Sequence, residues 1–211
     1  MRTRLWIVPW IVPLLTLGLA ALACNSVLPA GTVLFKDDFA DASGEWKYAD
    51  GTLFRDGRLV VLNDEQSTIV PTVIDEPGLA NIRVEVSGQN TSSAKDEVFG
   101  LVCYFSARNG QASYYLLGIG TDGYYTIGRY TQGELTTLIE GTGSKFTDEN
   151  ATYRLAAECR RGSQALYVDG KVVASATDSS LANGDVGLFV GSYKVAPAAA
   201  TFDDFVVTQL K

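Results

Sequence analysis

The 211-residue sequence contains no histidine. That removes the side chain best placed to exchange protons near neutral pH, so any acid–base work falls to Asp, Glu, Tyr or Lys. It also removes a principal zinc ligand. With no Cys-x-x-Cys pair either, nothing in the chain reads as a zinc-type centre. No Gly-x-Ser-x-Gly turn is present to raise a nucleophile. After residue 31 no long stretch combines helical periodicity with caps, and no repeat or low-complexity tract appears. Only three cysteines and six prolines occur, against 21 glycines. Many short strands joined by tight turns suit that composition.

The N-terminus is a separate object. Arg2 and Arg4 precede an apolar run over 5–20 that contains Pro9 and Pro13, followed by Ala21-Leu22-Ala23-Cys24. This is the layout of an export signal over 1–23, set aside from fold reasoning. A cysteine after small residues resembles a lipobox, in which Cys24 is lipidated and becomes the mature N-terminus. Ala21 stands where that motif usually has Leu. Ala21-x-Ala23 also suits ordinary cleavage and secretion. An uncleaved membrane anchor is a third reading, disfavoured by two prolines inside the helix. The expectation is an exported lipoprotein on the outer side of the cell membrane, with residues 24–31 as tether and 32–211 as one domain. Secretion is the alternative.

Removing Arg2 and Arg4 leaves 15 of the 17 basic side chains against 24 acidic ones, a net charge of −9. An acidic exported domain is a poor partner for nucleic acid or anionic polymers. Neutral glycans and cell-surface components fit better. In an oxidising compartment Cys103 and Cys159 remain as a pair, each on the apolar phase of a strand-like run. A disulfide between them would close a loop of about 57 residues and stabilise by roughly 3–4 kcal/mol on the chain-entropy model. Two buried free thiols are the alternative.

The clearest fold signal lies over 153–207. Tyr153, Leu155, Ala157 and Cys159 alternate with Arg154, Ala156, Glu158 and Arg160, the pattern of a strand with one wet face. Asp169-Gly170 between two strand-like runs predicts a type I′ hairpin, because both central residues need positive φ. Asp50-Gly51 and Asp56-Gly57 suggest an antiparallel meander near the start, and Asp122-Gly123 and Gln132-Gly133 are further turns. Residues 98–105 are apolar on both phases, which marks a central strand. Residues 146–150 suit one short helical turn. The class is all-β.

The order of pieces near the C-terminus carries a resemblance. Val168-Asp169-Gly170-Lys171-Val172-Val173, then Gly184-Asp185-Val186-Gly187-Leu188-Phe189-Val190, then Phe202-Asp203-Asp204-Phe205-Val206-Val207 resemble the end of a concanavalin A-like (laminin G-like) jelly roll. The version it is similar to occurs in exported bacterial lectins, laminarinase-type hydrolases and keto-disaccharide hydrolase-like domains. The likeness spans roughly 33–210. It implies a two-sheet antiparallel β-sandwich whose first and last strands lie side by side. Asp37 and Asp38 would then approach Asp203 and Asp204, which like charges tolerate in water or around a shared cation such as calcium. No other cofactor is implied.

Laminarinase-type hydrolases of this fold carry Glu-x-Asp-x-(x)-Glu on one strand, two carboxylates on one face for acid and nucleophile. That run is missing here. Glu158, Glu97 and Glu85 stand singly and are the remaining acid–base candidates. Binding is the better-supplied use, since sugars are held by flat aromatics with carboxylates, amides and Arg on the hydroxyls. Aromatics available are Trp46, Tyr48, Tyr104, Tyr115, Tyr125, Tyr130 and Tyr193. If Cys103 faces the core, Tyr104 faces outward, and Tyr115 and Tyr125 align with it across neighbouring strands. Arg129 shares the phase of Tyr125. The expected ligand site is therefore Tyr104, Tyr115, Tyr125, Arg129 and Trp46. The expected function is a non-catalytic carbohydrate- or surface-binding domain. A glycosidase or keto-disaccharide hydrolase type of enzyme, and a structural domain without small ligand, are the alternatives.

Overall fold

A computed structural model describes residues 28–42, 45–47, 49–66, 68–74, 78–92, 97–143 and 145–211. The expected signal segment, Tyr48 and the first half of the tether, residues 24–27 including Cys24, lie outside them. Among the described residues there is no helix, so none is long and apolar enough to cross a membrane. The strands in chain order are β1 (Val33–Asp37), β2 (Trp46–Lys47), β3 (Thr52–Arg55), β4 (Arg58–Asn63) and β5 (Ile69–Ile74). Then come β6 (Ile82–Asn90), β7 (Val98–Arg108), β8 (Gln111–Ile119), β9 (Tyr124–Thr131) and β10 (Glu134–Thr142). The chain closes with β11 (Tyr153–Arg160), β12 (Ser163–Val168), β13 (Lys171–Ala176), β14 (Asp185–Gly191) and β15 (Ala198–Gln209).

These strands form two antiparallel sheets. The first runs β13-β12-β11-β6-β15-β4-β3 with β1 also on β15, and the second runs β10-β9-β8-β7-β14-β5-β2. The expected closure is present: β1 pairs with β15, Phe35 opposite Val207. The Phe35 and Phe205 rings meet edge-on at 6.0 Å. β6 shows why the first sheet splits core from water. Ile82, Val84 and Val86 are fully buried, while Arg83 and Glu85 alternate with them and point outward. Each such aliphatic contributes roughly 1.5–3 kcal/mol on burial. β7 sits mid-sheet and is buried from Val98 to Tyr104, as its two-phase apolar run predicts.

A disulfide joins Cys103 on β7 to Cys159 on β11, with Cα atoms 6.5 Å apart. It ties one sheet to the other through the core. Asp169 and Gly170 take φ of 49° and 75°, the type I′ hairpin their identities require. Asp56-Gly57 does the same at 52° and 68° and joins β3 to β4. The meander expected before it is only partly present. β2 pairs with β5 in the opposite sheet, because Trp46 is drawn into the core against Phe35, Phe39 and Phe205. Nor do residues 146–150 form a helical turn. Phe146 is buried beneath Tyr125, and the Tyr153 hydroxyl both accepts from Asp148 N and donates to Asp148 O, which pins the segment as a bend.

Candidate functional site

Each sheet has an inner face on the shared core and an outer face. Directly opposed residues on neighbouring strands share a face, so the pairing register places every aromatic of the second sheet. Tyr115 is opposite Cys103, Arg129 opposite Tyr115, and Tyr125 opposite Ile119. Cys103 and Ile119 belong to the core, so this whole set lies on the inner phase. Tyr104 joins it for a different reason. The β7 register slips between Cys103 and Ser106, and Tyr104 takes φ of 58°. This bulge turns Cys103 and Tyr104 inward together.

The structure therefore corrects the expected orientation of that set. Tyr104 and Tyr115 are 0% exposed and Trp46 5%. The Tyr104 hydroxyl donates to Cys159 O at 2.7 Å and accepts from Asn81 N. Trp46 Nε1 donates to Asp37 Oδ2 at 2.8 Å. The Tyr115 hydroxyl donates to Asp178 Oδ1 at 2.5 Å and accepts from Leu181 N. Arg129 pairs with the other Asp178 oxygen and donates to Ser180. Tyr125 is partly buried, edge-on to Phe146. These residues close one end and the interior of the sandwich rather than opening a groove.

Their ionisation follows from the same contacts. Burial and donation to Asp178 push the Tyr115 hydroxyl up to about 12. Burial pushes the Asp178 carboxyl upward too, but hydrogen bonds from Tyr115 and Ser180 and the Arg129 charge outweigh it. Asp178 lies below the ordinary carboxylate range.

A groove does exist on the outer face of the second sheet, built from the opposite phase of the same strands. Its floor is Val98, Leu116 and Phe189, and its walls are Leu135 and Thr137 on β10 against Thr68 and Ile69 at β5. Gly118 and Gly128 keep the floor low. A Cβ on Gly118 would meet Phe189 Cζ at 2.7 Å, and one on Gly128 would meet Leu135 Cδ1 at 2.9 Å. Tyr124 and Tyr193 line this central depression, and Tyr193 is 54% exposed. The Tyr124 hydroxyl donates to Glu140 Oε2 at 2.6 Å, and burial together with that bond pushes its pKa upward.

The depression continues both ways. Towards one end it shares Val98, Tyr124 and Tyr193 with a hollow rimmed by Asp122, Glu140 and Lys194, with Glu97 at its base. Towards the other it shares Thr68, Ile69 and Leu135 with a wider hollow bounded by Tyr130, Asp50, Asp64 and Glu65. Tyr130 ends an aromatic ladder on this face. It stacks on Tyr114 at 5.0 Å, and Tyr114 stacks on Phe105 at 5.7 Å. Tyr130 and Tyr193 were available by composition, but Tyr124 required the phase of β9. Tyr124, Thr126, Gly128 and Tyr130 alternate with Tyr125, Ile127 and Arg129, and only the second set is inner.

The acid–base candidates separate. Glu85 and Glu158 lie on the outer face of the first sheet, astride Arg83 at 3.2 Å each. Arg160 also reaches Glu158 at 3.4 Å, and Arg83 lies 4.7 Å over the Tyr167 ring. Both carboxylates are bound in a charge-neutralising network away from the groove. Glu97 is 1% exposed and accepts from the Ser92 hydroxyl and Ala199 N. It alone of the three borders the groove. The aspartates behave similarly. Asp37 accepts from Trp46 and Phe39 N, Asp38 from Ala40 N, and Asp203 from Asp204 N while facing Arg58 at 3.7 Å. Among the described residues no group of three or more His, Cys, Asp or Glu converges to hold a metal.

No protein-family model matches the chain, and no curated protein matches it by sequence. Solved structures do match. A carbohydrate binding module, CBM66 of Bacillus subtilis, aligns with TM-score 0.64 at 17% identity over 78% of this chain and 96% of its own. A Bacillus subtilis protein of unknown function with a galectin-like fold gives 0.65 at 14%, over 86% and 97%. The Bacillus licheniformis beta-glucanase gives 0.62 at 14%, over 86% and 99%. At these identities the likeness speaks for the fold alone. The chain has the concanavalin A-like jelly roll, an architecture shared by carbohydrate-binding modules and glycosidases.

Proposed function

We propose that this chain is a non-catalytic, exported carbohydrate-binding domain whose ligand lies in the outer groove of the second sheet. Cys24 carries the lipid that holds it at the outer side of the cell membrane. The observation that carries the binding reading is the groove itself. An apolar floor of Val98, Leu116 and Phe189 suits the C–H faces of sugar rings. Exposed Tyr193 supplies a stacking surface, and Thr68, Thr126 and Thr137 line the hollow with hydroxyls of the kind that bond ring hydroxyls. The match to a carbohydrate binding module supports the reading at the level of architecture. Nucleic acid is disfavoured by the acidic balance.

A glycan array probed with the purified domain tests this. Binding is expected, and Tyr124→Ala and Tyr193→Ala each weaken it by roughly tenfold or more, the loss of an anchoring aromatic. Full binding by the double variant rejects the groove as the site. A silent array supports a structural domain without small ligand. One observation favours hydrolysis as the second reading: Glu97 and Glu140 line the same end of the groove. Release of reducing sugar by the wild type, abolished in Glu97→Gln, would make the chain an enzyme of the glycosidase or keto-disaccharide hydrolase type.

A further inference from the structure

We infer that the groove takes an internal stretch of an uncharged linear polysaccharide rather than a chain end or a single sugar. This rests on the glycan-binding reading and adds the manner of recognition. Three hollows share their walls in sequence. Val98, Tyr124 and Tyr193 belong to the first and second, and Thr68, Ile69 and Leu135 to the second and third. A ligand can therefore pass from one to the next without leaving the surface. Along β9 the outer face runs from Tyr124 to Tyr130, six residues or about 20 Å at strand spacing. That is long enough for several sugar rings in line.

The two outer hollows are rimmed by exposed residues, with Asp122, Glu140 and Lys194 at one and Asp50, Asp64 and Glu65 at the other. Among the described residues neither end is closed by a wall of core side chains, so a chain continuing beyond the groove meets solvent. A site for a chain terminus needs such a wall, because the terminal ring is distinguished only by what blocks further residues. Among the described residues the central hollow is lined by no charged side chain. Its polar groups are hydroxyls. Carboxylates outnumber the cation Lys194 at the one mouth and stand without a cation among the described lining residues at the other. On a domain of net charge −9 after loss of Arg2 and Arg4 they repel a chain of uronic acids or sulfated sugars before it can thread through. The ligand that satisfies floor, walls and ends together is long, uncharged and unbranched over the stretch in contact.

The test uses soluble neutral polysaccharides of differing linkage (α- and β-glucans, mannan, fructan) in titration calorimetry against the domain. Size-defined oligomers of whichever polymer binds follow, from disaccharide to octasaccharide, native and borohydride-reduced. Affinity is expected to rise by about tenfold or more from disaccharide to hexasaccharide, with reduction of the chain end changing it by less than about twofold. A carboxylated form of the same polymer is expected to bind at least about tenfold more weakly. Equal affinity for disaccharide and hexasaccharide, or loss of binding on reduction of the end, overturns the internal-stretch inference while leaving glycan binding standing. Tighter binding of the carboxylated polymer overturns it as well. Absence of binding to every polymer, joined to a silent array, removes the glycan reading and this inference with it.

Discussion

Tyr124 and Tyr125 are adjacent, yet one lines the groove and the other leans on Phe146 in the core. A phase shift of one residue moves a side chain from one sheet face to the other. The composition and alternation of β8 and β9 were legible in the sequence; which phase faced the core was not, because both phases carry tyrosines. The bulge at Tyr104 was invisible for a second reason. Nothing about Cys103-Tyr104-Phe105 announces a residue at φ of 58°, and tyrosine is an uncommon choice there. The buried tyrosines have work to do nonetheless. Tyr115 and Arg129 hold Asp178, which in turn fixes the loop after β13 through Ser180 N. Because the Asp178 carboxyl is held below its ordinary range, it adds stability that is complete above its unfolded value near 3.9 and is lost as pH falls through the folded value. Asp178→Asn is expected to cost about 1–3 kcal/mol at neutral pH. The gap to wild type should shrink as pH drops below about 4. Urea unfolding at pH 7, 5 and 3 measures both. An equal gap at all three values would show that the charge of Asp178 is immaterial.

At the scale of strands, the sequence was most informative where turn chemistry and alternation agree. β11 to β13 are read correctly from Tyr153 to Ala176, because Gly170 and Asp169 adopt the positive φ their turn demands and Leu155, Ala157 and Cys159 share one buried face. Where a segment is short, the signal fails. β2 has two residues, and its assignment to the second sheet depends on where Trp46 finds an aromatic pocket, a tertiary fact. The pairing of Cys103 with Cys159 was readable because both cysteines stood on apolar phases and the expected export signal implied oxidation. The link spans 56 residues and connects β7 to β11 across the core. Replacing both cysteines by alanine is expected to lower the unfolding free energy by roughly 3–4 kcal/mol, chiefly by freeing the unfolded chain. Glycan affinity at 25 °C should stay within about twofold of wild type, since the cysteines are on the inner phase and the groove on the outer. A large fall in affinity with an unchanged melting curve would mean that the bridge shapes the groove rather than the stability.

For the molecule as a whole, the proposed role requires delivery outside the cytoplasm, where the disulfide can persist and a glycan can be met. The described chain enters the fold at its β1 end, where Gly31 N donates to Gln209 O at 2.8 Å and Gln209 N to Thr32 O at 2.9 Å. The tether is thus fastened to the last strand at the point where it reaches the sandwich. The expected tether, 24–31, is only eight residues long, and a lipid on Cys24 would keep the domain within a short reach of the bilayer surface. On the proposed reading, such a position would favour capture of polysaccharide at the cell envelope over free diffusion. The wild-type mature protein is expected in the membrane fraction with an acylated cysteine as its first residue, as read by intact mass. Cys24→Ser should block processing at that site and leave no acylated species. If wild type is instead released into the medium beginning at Cys24 without acyl mass, or at any later residue, the domain is a secreted one. A full-length chain that stays membrane-bound with Arg2 and Arg4 still attached would point to residues 5–20 as a retained span, in spite of Pro9 and Pro13.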